Sequence, residues 1–210
     1  MGAERHELRP HLVVSRRIYG WAMTRRPRAA ARCFVLALAL LLAGCGGDDE
    51  LAGGAADLPD PVPSGIGFRE PPASAPSAPD FSAELVDGTP VTASALWADR
   101  PLVLMFTASF CDRCADIHRE VASAVDEHDG AIALLGVVGS DDTEAAEYAE
   151  ELDLGHPLAV AGERIWLSYA AREPALVALV AQGGKVLRGW PNGVDADELA
   201  AELDELVVHE

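Results

Sequence analysis

Basic residues are scarce in most of this sequence, and half of them stand at its start. Lys and Arg number 16 against 34 Asp and Glu, for a formal net charge of −18. Eight of the 16 basic residues but only two of the 34 acids precede residue 45, which leaves eight basic residues against 32 acidic ones beyond it. Such a surface repels nucleic acid and anionic lipid headgroups. The composition therefore excludes nucleic-acid binding and predicts that the folded surface itself does not hold a membrane.

Apolar runs are short. The run from Cys33 to Ala43 falls below the roughly 20 residues that a spanning helix needs. It follows an arginine-rich stretch and ends in Leu42-Ala43-Gly44-Cys45, which resembles the lipobox of bacterial lipoproteins. Residues 1–44 are therefore predicted to be a signal peptide and Cys45 the lipidation site, with an uncleaved anchor helix as the alternative. Met23 begins a well-proportioned signal peptide of its own, and is the alternative start. The expected location is extracytoplasmic, with a lipid anchor in the cell membrane.

Cysteine is also scarce, with four in the chain. Cys33 lies in the predicted signal peptide and Cys45 is the predicted lipidation site, so Cys111 and Cys114 are the thiols that remain. In an exported protein, a pair this close is either an oxidised active site or a metal site, since a structural disulfide closes a longer loop.

The two cysteines stand where an apolar strand, Leu102 to Phe106, gives way to a helix predicted over residues 112–127. The predicted core stripe of that helix is Ile117, Val121 and Val125. A helix N-terminus stabilises a thiolate through its dipole and its unpaired N–H groups. Cys111 is therefore predicted to attack and Cys114 to resolve, and thiol-disulfide exchange needs no bound cofactor.

Residues 45–79 are rich in Gly, Ala, Asp and Pro, and are predicted to be a lipidated cysteine followed by a disordered tether. A folded domain is predicted over residues 80–210. Its predicted strands are Phe81 to Val86, Pro90 to Thr92, Pro101 to Thr107, Ala131 to Val138, Leu158 to Ala161, Ala175 to Ala181 and Lys185 to Trp190. Its other predicted helices are Ser94 to Trp97, Asp141 to Leu152 with Ser140 or Asp141 as cap, Glu163 to Tyr169, and Asp195 to Val207. This order predicts an α/β fold with a mixed sheet.

Residues 80–208 contain a hairpin at Asp87-Gly88, a strand and turn from Leu102 to Cys114, and a long stretch from Cys114 to Pro174. In these features they resemble the TlpA/ResA-like (redoxin) group of thioredoxin-fold lipoproteins. The resemblance implies a mixed central sheet flanked by helices, with an N-terminal β-hairpin extension. It implies a thiol-disulfide oxidoreductase with protein thiol or disulfide clients and a membrane electron donor or acceptor. Reduction of clients, as in cytochrome c maturation, is the expected direction, and disulfide donation is the alternative.

The resemblance also implies residues around the cysteines. Pro174 matches the family's cis-proline, so Glu173 and Pro174 are expected to dock an extended client. Phe110 stands where the family usually has tryptophan before the first cysteine. Asp112 and Arg113, between the cysteines, are expected to tune the thiol pKa, because a cation favours a thiolate and a carboxylate disfavours it.

Two other chemistries compete with this interpretation. His118 follows Cys114 by four residues, on the same face of the predicted helix, so the first alternative is a copper site made by the cysteine pair and His118, with His156 as a further donor. His118 is more commonly a solvated helix residue and His156 lies in a predicted loop, so no metal is the expectation. A peroxidase would carry threonine three residues before the reactive cysteine, where this chain has Ala108.

Overall fold

A computed structural model describes residues 51–209, which form a seven-stranded sheet with helices on both faces and a separate two-stranded sheet. The strands are β1 (Ile66–Phe68), β2 (Ser82–Leu85), β3 (Pro90–Thr92), β4 (Leu102–Phe106), β5 (Ala133–Gly139), β6 (Leu158–Ala161), β7 (Leu176–Ala181), β8 (Lys185–Trp190) and β9 (Val207–His209). The helices are α1 (Ala93–Leu96), α2 (Cys114–Asp126), α3 (Ala145–Leu152), α4 (Glu163–Ser168) and α5 (Ala196–Asp204), and a 3-10 turn spans Ala55–Asp57.

The large sheet has the strand order β3-β2-β6-β5-β4-β7-β8. Strand β4 pairs in parallel with β5 and antiparallel with β7, and β5 pairs in parallel with β6. Alternate side chains of β4 enter two apolar cores on opposite faces, so the whole strand is buried. Helices α2 and α5 cover one face, and α1 covers the other together with side chains of α4. The mixed sheet predicted from the order of elements is confirmed.

Three helix ends differ from the predicted bounds by two residues or more. Helix α2 begins at Cys114 rather than at residue 112, and α3 begins at Ala145 rather than at Asp141. The carboxylate of Asp142 instead accepts hydrogen bonds from Ser109 and from a nearby backbone N–H. Helix α5 ends at Asp204 rather than at Val207, which instead begins β9 after a two-residue turn.

The buried stripe of α2 is rotated relative to the predicted one. Val121 and Val125 are buried as expected, but Ile117 is only half-buried and His118 is fully buried. A polar residue in this stripe is hidden from an analysis of apolar periodicity, which treats it as solvent-facing.

Residues 51–79 pack on the domain, which differs from the predicted disordered tether. Strand β1 pairs antiparallel with β9, and the Gly53 carbonyl accepts a hydrogen bond of 2.8 Å from the Leu158 N–H. The buried guanidinium of Arg100 donates to the Asp60 carbonyl. Within residues 51–79, the groups that make these contacts are backbone N–H and carbonyl groups. The prediction of disorder rested on the lack of apolar side chains, which these contacts do not need.

The predicted signal peptide, its alternative start at Met23 and the lipidation site Cys45 lie outside the described residues. Within residues 51–209, no helix is both long and apolar enough to cross a membrane.

Candidate active site

Cys111 and Cys114 form a disulfide in the turn between β4 and α2. The Cys111 N–H donates to the Ala108 carbonyl at 3.2 Å, and the Cys114 N–H donates to the Cys111 carbonyl at 2.9 Å. Cys114 is fully buried as the first residue of α2, whereas Cys111 is half-buried. This asymmetry leaves Cys111 as the more accessible sulfur, in line with its predicted role as the attacking thiol.

Phe110 precedes the disulfide and is 74% exposed, which is unusual for a large apolar side chain. It borders an open groove of about 790 Å³ that Pro174 and the α4 residues Trp166 and Leu167 also line. Leu167 is 57% exposed. The lining also includes charged side chains, so the groove is apolar in part, and such an accessible groove beside the redox turn is suited to an extended client segment.

Pro174 lies immediately before β7, beside the redox turn. Its neighbour Ala175 belongs to the apolar cluster that contains Cys114 and contacts Cys111. The cis peptide bond joins Pro174 to Ala175, not Glu173 to Pro174 as the sequence predicted. Glu173 is exposed next to Pro174. The structure thus brings the predicted docking residues to the edge of the redox turn.

The two residues between the cysteines point to solvent. Asp112 and Arg113 are both exposed, and the guanidinium of Arg113 donates to the Asn192 carbonyl in the loop after β8. This contact holds the cation at the redox turn. Tuning of the Cys111 thiol by these side chains stays a prediction.

Before the disulfide, the chain is held by Asp142. Its carboxylate accepts hydrogen bonds from the Ser109 N–H at 2.8 Å and from the Ser109 hydroxyl at 2.6 Å. Hydrogen bonds to a charged acceptor are stronger than neutral ones. The bonds attach the start of the redox turn to the segment that leads into α3.

A buried chain of polar side chains runs behind the redox turn, and sequence reasoning missed it. The Tyr148 hydroxyl lies 2.9 Å from the Thr107 hydroxyl and 3.0 Å from Nδ1 of His118. Nε2 of His118 lies 2.7 Å from Nε2 of His156. His118 is fully buried, so the expectation that it is solvated is wrong, and His156 is also buried, at 9% exposed. No local pattern signals this chain, because its members come from four separate segments.

Burial keeps this network of four hydrogen-bonded side chains uncharged. It lowers the pKa of His118 to about 4, with the nearby Arg119 adding to the effect. Burial also lowers the pKa of His156 to about 3, with further help from His118. It raises the pKa of Tyr148. The whole chain is therefore neutral at pH 7, which fits four hydrogen-bonded groups in an apolar interior.

The copper alternative loses its proposed ligand, because both ring nitrogens of His118 are engaged with Tyr148 and His156. Within residues 51–209, no three His, Cys, Asp or Glu side chains come together as a metal site.

A family model described as the AhpC/TSA family matches residues 75–179. No curated protein matches the chain. Similar solved structures include a secreted disulfide oxidoreductase of Mycobacterium tuberculosis, homologous to E. coli DsbE, with 17% identity and a TM-score of 0.51 over 59% of this chain and 94% of that chain. The thioredoxin domain of a Bacteroides vulgatus thiol-disulfide oxidoreductase has 16% identity and a TM-score of 0.56 over 64% and 98%. A DsbF homologue from Corynebacterium diphtheriae has 13% identity and a TM-score of 0.58 over 70% and 96%. These likenesses confirm the predicted thioredoxin-like fold.

The depressed pKa values of His118 and His156 predict acid sensitivity. Below about pH 6.5 the unfolded chain protonates both residues, whereas the folded chain resists until about pH 4 and about pH 3. The free energy of unfolding is therefore undiminished by these two residues above pH 6.5, and it decreases as the pH falls from 6.5 towards 3. Urea unfolding midpoints at pH 7 and pH 5 measure this loss. The variant His156→Gln keeps a polar group but removes one titration, so its midpoint should change less. An equal pH dependence in the variant would contradict this assignment.

Proposed function

Because this chain belongs to the AhpC/TSA family and places a disulfide-bonded Cys-x-x-Cys turn beside an exposed apolar groove, we propose that it is an extracytoplasmic, membrane-anchored oxidoreductase that exchanges disulfides with protein clients. Its family and its cysteine pair make it a thioredoxin-like oxidoreductase, as the sequence predicted. The proposal rests above all on the accessibility of Cys111 and the full burial of its partner Cys114.

In the reducing direction, the Cys111 thiolate attacks one sulfur of a client disulfide. A mixed disulfide forms, and the other client sulfur leaves as a thiolate that takes up a proton. The Cys114 thiol loses its proton, and its sulfur attacks Cys111 and releases the second client thiol. The client gains two electrons, and the protein ends as the disulfide that the structure contains. A membrane partner then returns two electrons to the pair.

Reduction of clients, of the kind used in cytochrome c maturation, is the direction we propose, and donation of disulfides is the alternative. Both directions use the same two sulfurs and differ in reduction potential alone. For this two-electron couple, about 30 mV corresponds to about 1.4 kcal/mol. The direction is therefore a quantitative property of the turn and its surroundings.

Peroxide chemistry has less support in this site, although the family name covers a broad group. Ala108 stands three residues before Cys111, and the nearby Thr107 hydroxyl is bonded to Tyr148 inside the protein. No hydroxyl at either position is left to orient a peroxide at Cys111.

The cysteine pair should carry the activity. Cys111→Ser is expected to abolish insulin reduction with dithiothreitol, because it removes the attacking sulfur. Cys114→Ser should instead accumulate a mixed disulfide with the client, because the second attack is lost. Gel electrophoresis without reductant detects that species. Full activity of Cys111→Ser would rule out the proposed mechanism.

The reduction potential of the cysteine pair distinguishes client reduction from disulfide donation. Equilibration of the pair in dithiothreitol or glutathione buffers measures its reduction potential, and a reductase should lie near or below about −270 mV. A value near about −120 mV would make the protein a disulfide donor.

The groove should contribute to client binding through Phe110. Phe110→Ser is expected to raise the KM for a protein disulfide about fivefold, since the loss of an apolar contact of roughly 1 kcal/mol weakens binding by that factor. Turnover of a small disulfide such as hydroxyethyl disulfide should not change, because it does not extend along the groove. Val208→Ser is the matched control, since Val208 is also exposed but lies in β9. Equal effects of both variants would argue against docking at the groove.

The anchor should depend on Cys45. Cys45→Ser is expected to move the protein from the membrane fraction to the soluble fraction, since the acyl chains are the proposed attachment. Fractionation of cells with an antibody against the domain measures this. Retention of the variant in membranes would favour the alternative of an uncleaved anchor helix.

A further inference from the structure

One hydroxyl group joins the two sides of the redox turn. Tyr148 contacts Thr107, which directly follows β4, and His118, which lies in α2. Thr107 stands four residues before Cys111, and His118 stands four residues after Cys114. The chain thus enters the turn and leaves it through residues that share one hydrogen-bonding partner.

Water does not compete for these hydrogen bonds. Thr107 and His118 have no exposed surface, and Tyr148 is 6% exposed. A hydrogen bond in such a place is costly to leave unmade, because the freed group finds no other partner. The contacts therefore restrain the two flanks of the turn more strongly than surface bonds would.

The proton positions along this chain form a consistent order. In one order that satisfies every contact, Thr107 donates to the Tyr148 oxygen, Tyr148 donates to Nδ1 of His118, and Nε2 of His118 donates to His156; the reverse order satisfies the same contacts. Both histidines are neutral in either order, as their burial requires. Neither cysteine belongs to this hydrogen-bonded network, so breaking the disulfide removes none of its hydrogen bonds.

We propose that Tyr148 is a positioning residue that sets the reduction potential of the cysteine pair by holding the flanks of the turn together. This rests on the proposed thiol-disulfide exchange. When the disulfide is reduced, the sulfurs lose their covalent link and the turn gains conformational freedom, which favours the dithiol. The hydrogen bonds of Tyr148 to Thr107 and His118, here called the clamp, limit that gain in freedom. The clamp therefore favours the disulfide and lowers the reduction potential, in the direction expected of a reductase.

Tyr148→Phe tests the proposal, because it removes the shared hydroxyl and keeps the ring. The equilibrium constant for oxidation of the pair by glutathione should fall three- to tenfold, which raises the reduction potential by about 15 to 30 mV. Tyr169→Phe is the matched control. The Tyr169 hydroxyl donates to the Pro79 carbonyl at 2.6 Å, so this variant also loses one partly buried tyrosine hydrogen bond, but at a distance in sequence from Thr107 and His118. The control should lose stability in urea and keep the wild-type potential.

Thr107→Val gives a second measurement if Tyr148→Phe fails to fold. Thr107→Val removes the hydrogen bond between Thr107 and Tyr148, so it should also raise the reduction potential. The double variant should shift the potential by less than the sum of the single shifts. Wild-type potentials in both clamp variants, or an equal rise in Tyr169→Phe, would overturn the proposal. Potentials are measured without any client, so a failed insulin assay would count against the proposed function and not against the clamp.

Discussion

The burial of β4 on both faces is the constraint on which the redox turn depends. Its side chains alternate between two cores, and a shift by one residue against β5 or β7 would move each of them to the wrong core. The end of the strand is therefore a fixed point. Phe106 pairs with Leu176, so the same register brings Pro174, two residues before Leu176, to the edge of the turn that holds the disulfide. The groove and the reactive sulfur are neighbours because of this pairing.

Beyond that fixed point, contacts from three different parts of the fold hold the turn. Asp142 holds Ser109 before the disulfide, the Asn192 carbonyl accepts from Arg113 within it, and Tyr148 joins the flanks behind it. The first is partly buried, the second is exposed, and the third lies in the interior. The interior contact is the least exposed to solvent and salt, so it is the one best suited to set a property that must not vary with conditions.

The sequence predicts the parts of this molecule that depend on apolar side chains, and it fails where backbone carbonyls or isolated polar groups decide. The strand Leu102 to Phe106 and the cysteine turn follow from a run of apolar residues and a motif. The packing of residues 51–79 depends on groups such as the Gly53 carbonyl, which every residue possesses, so composition does not report it. His118 and His156 are 38 positions apart, and only the completed sheet brings their rings together.

If the pair exchanges disulfides as proposed, the unequal burial of the two sulfurs also determines the order of the steps. Cys114 has no exposed surface, so a client meets Cys111 first and every covalent intermediate is held through that residue. The client is then released by an intramolecular attack of Cys114 on Cys111, and the rate of that step does not depend on the concentration of clients. In the proposed exchange, the lifetime of the intermediate is therefore set by the folded protein and not by the concentration of clients.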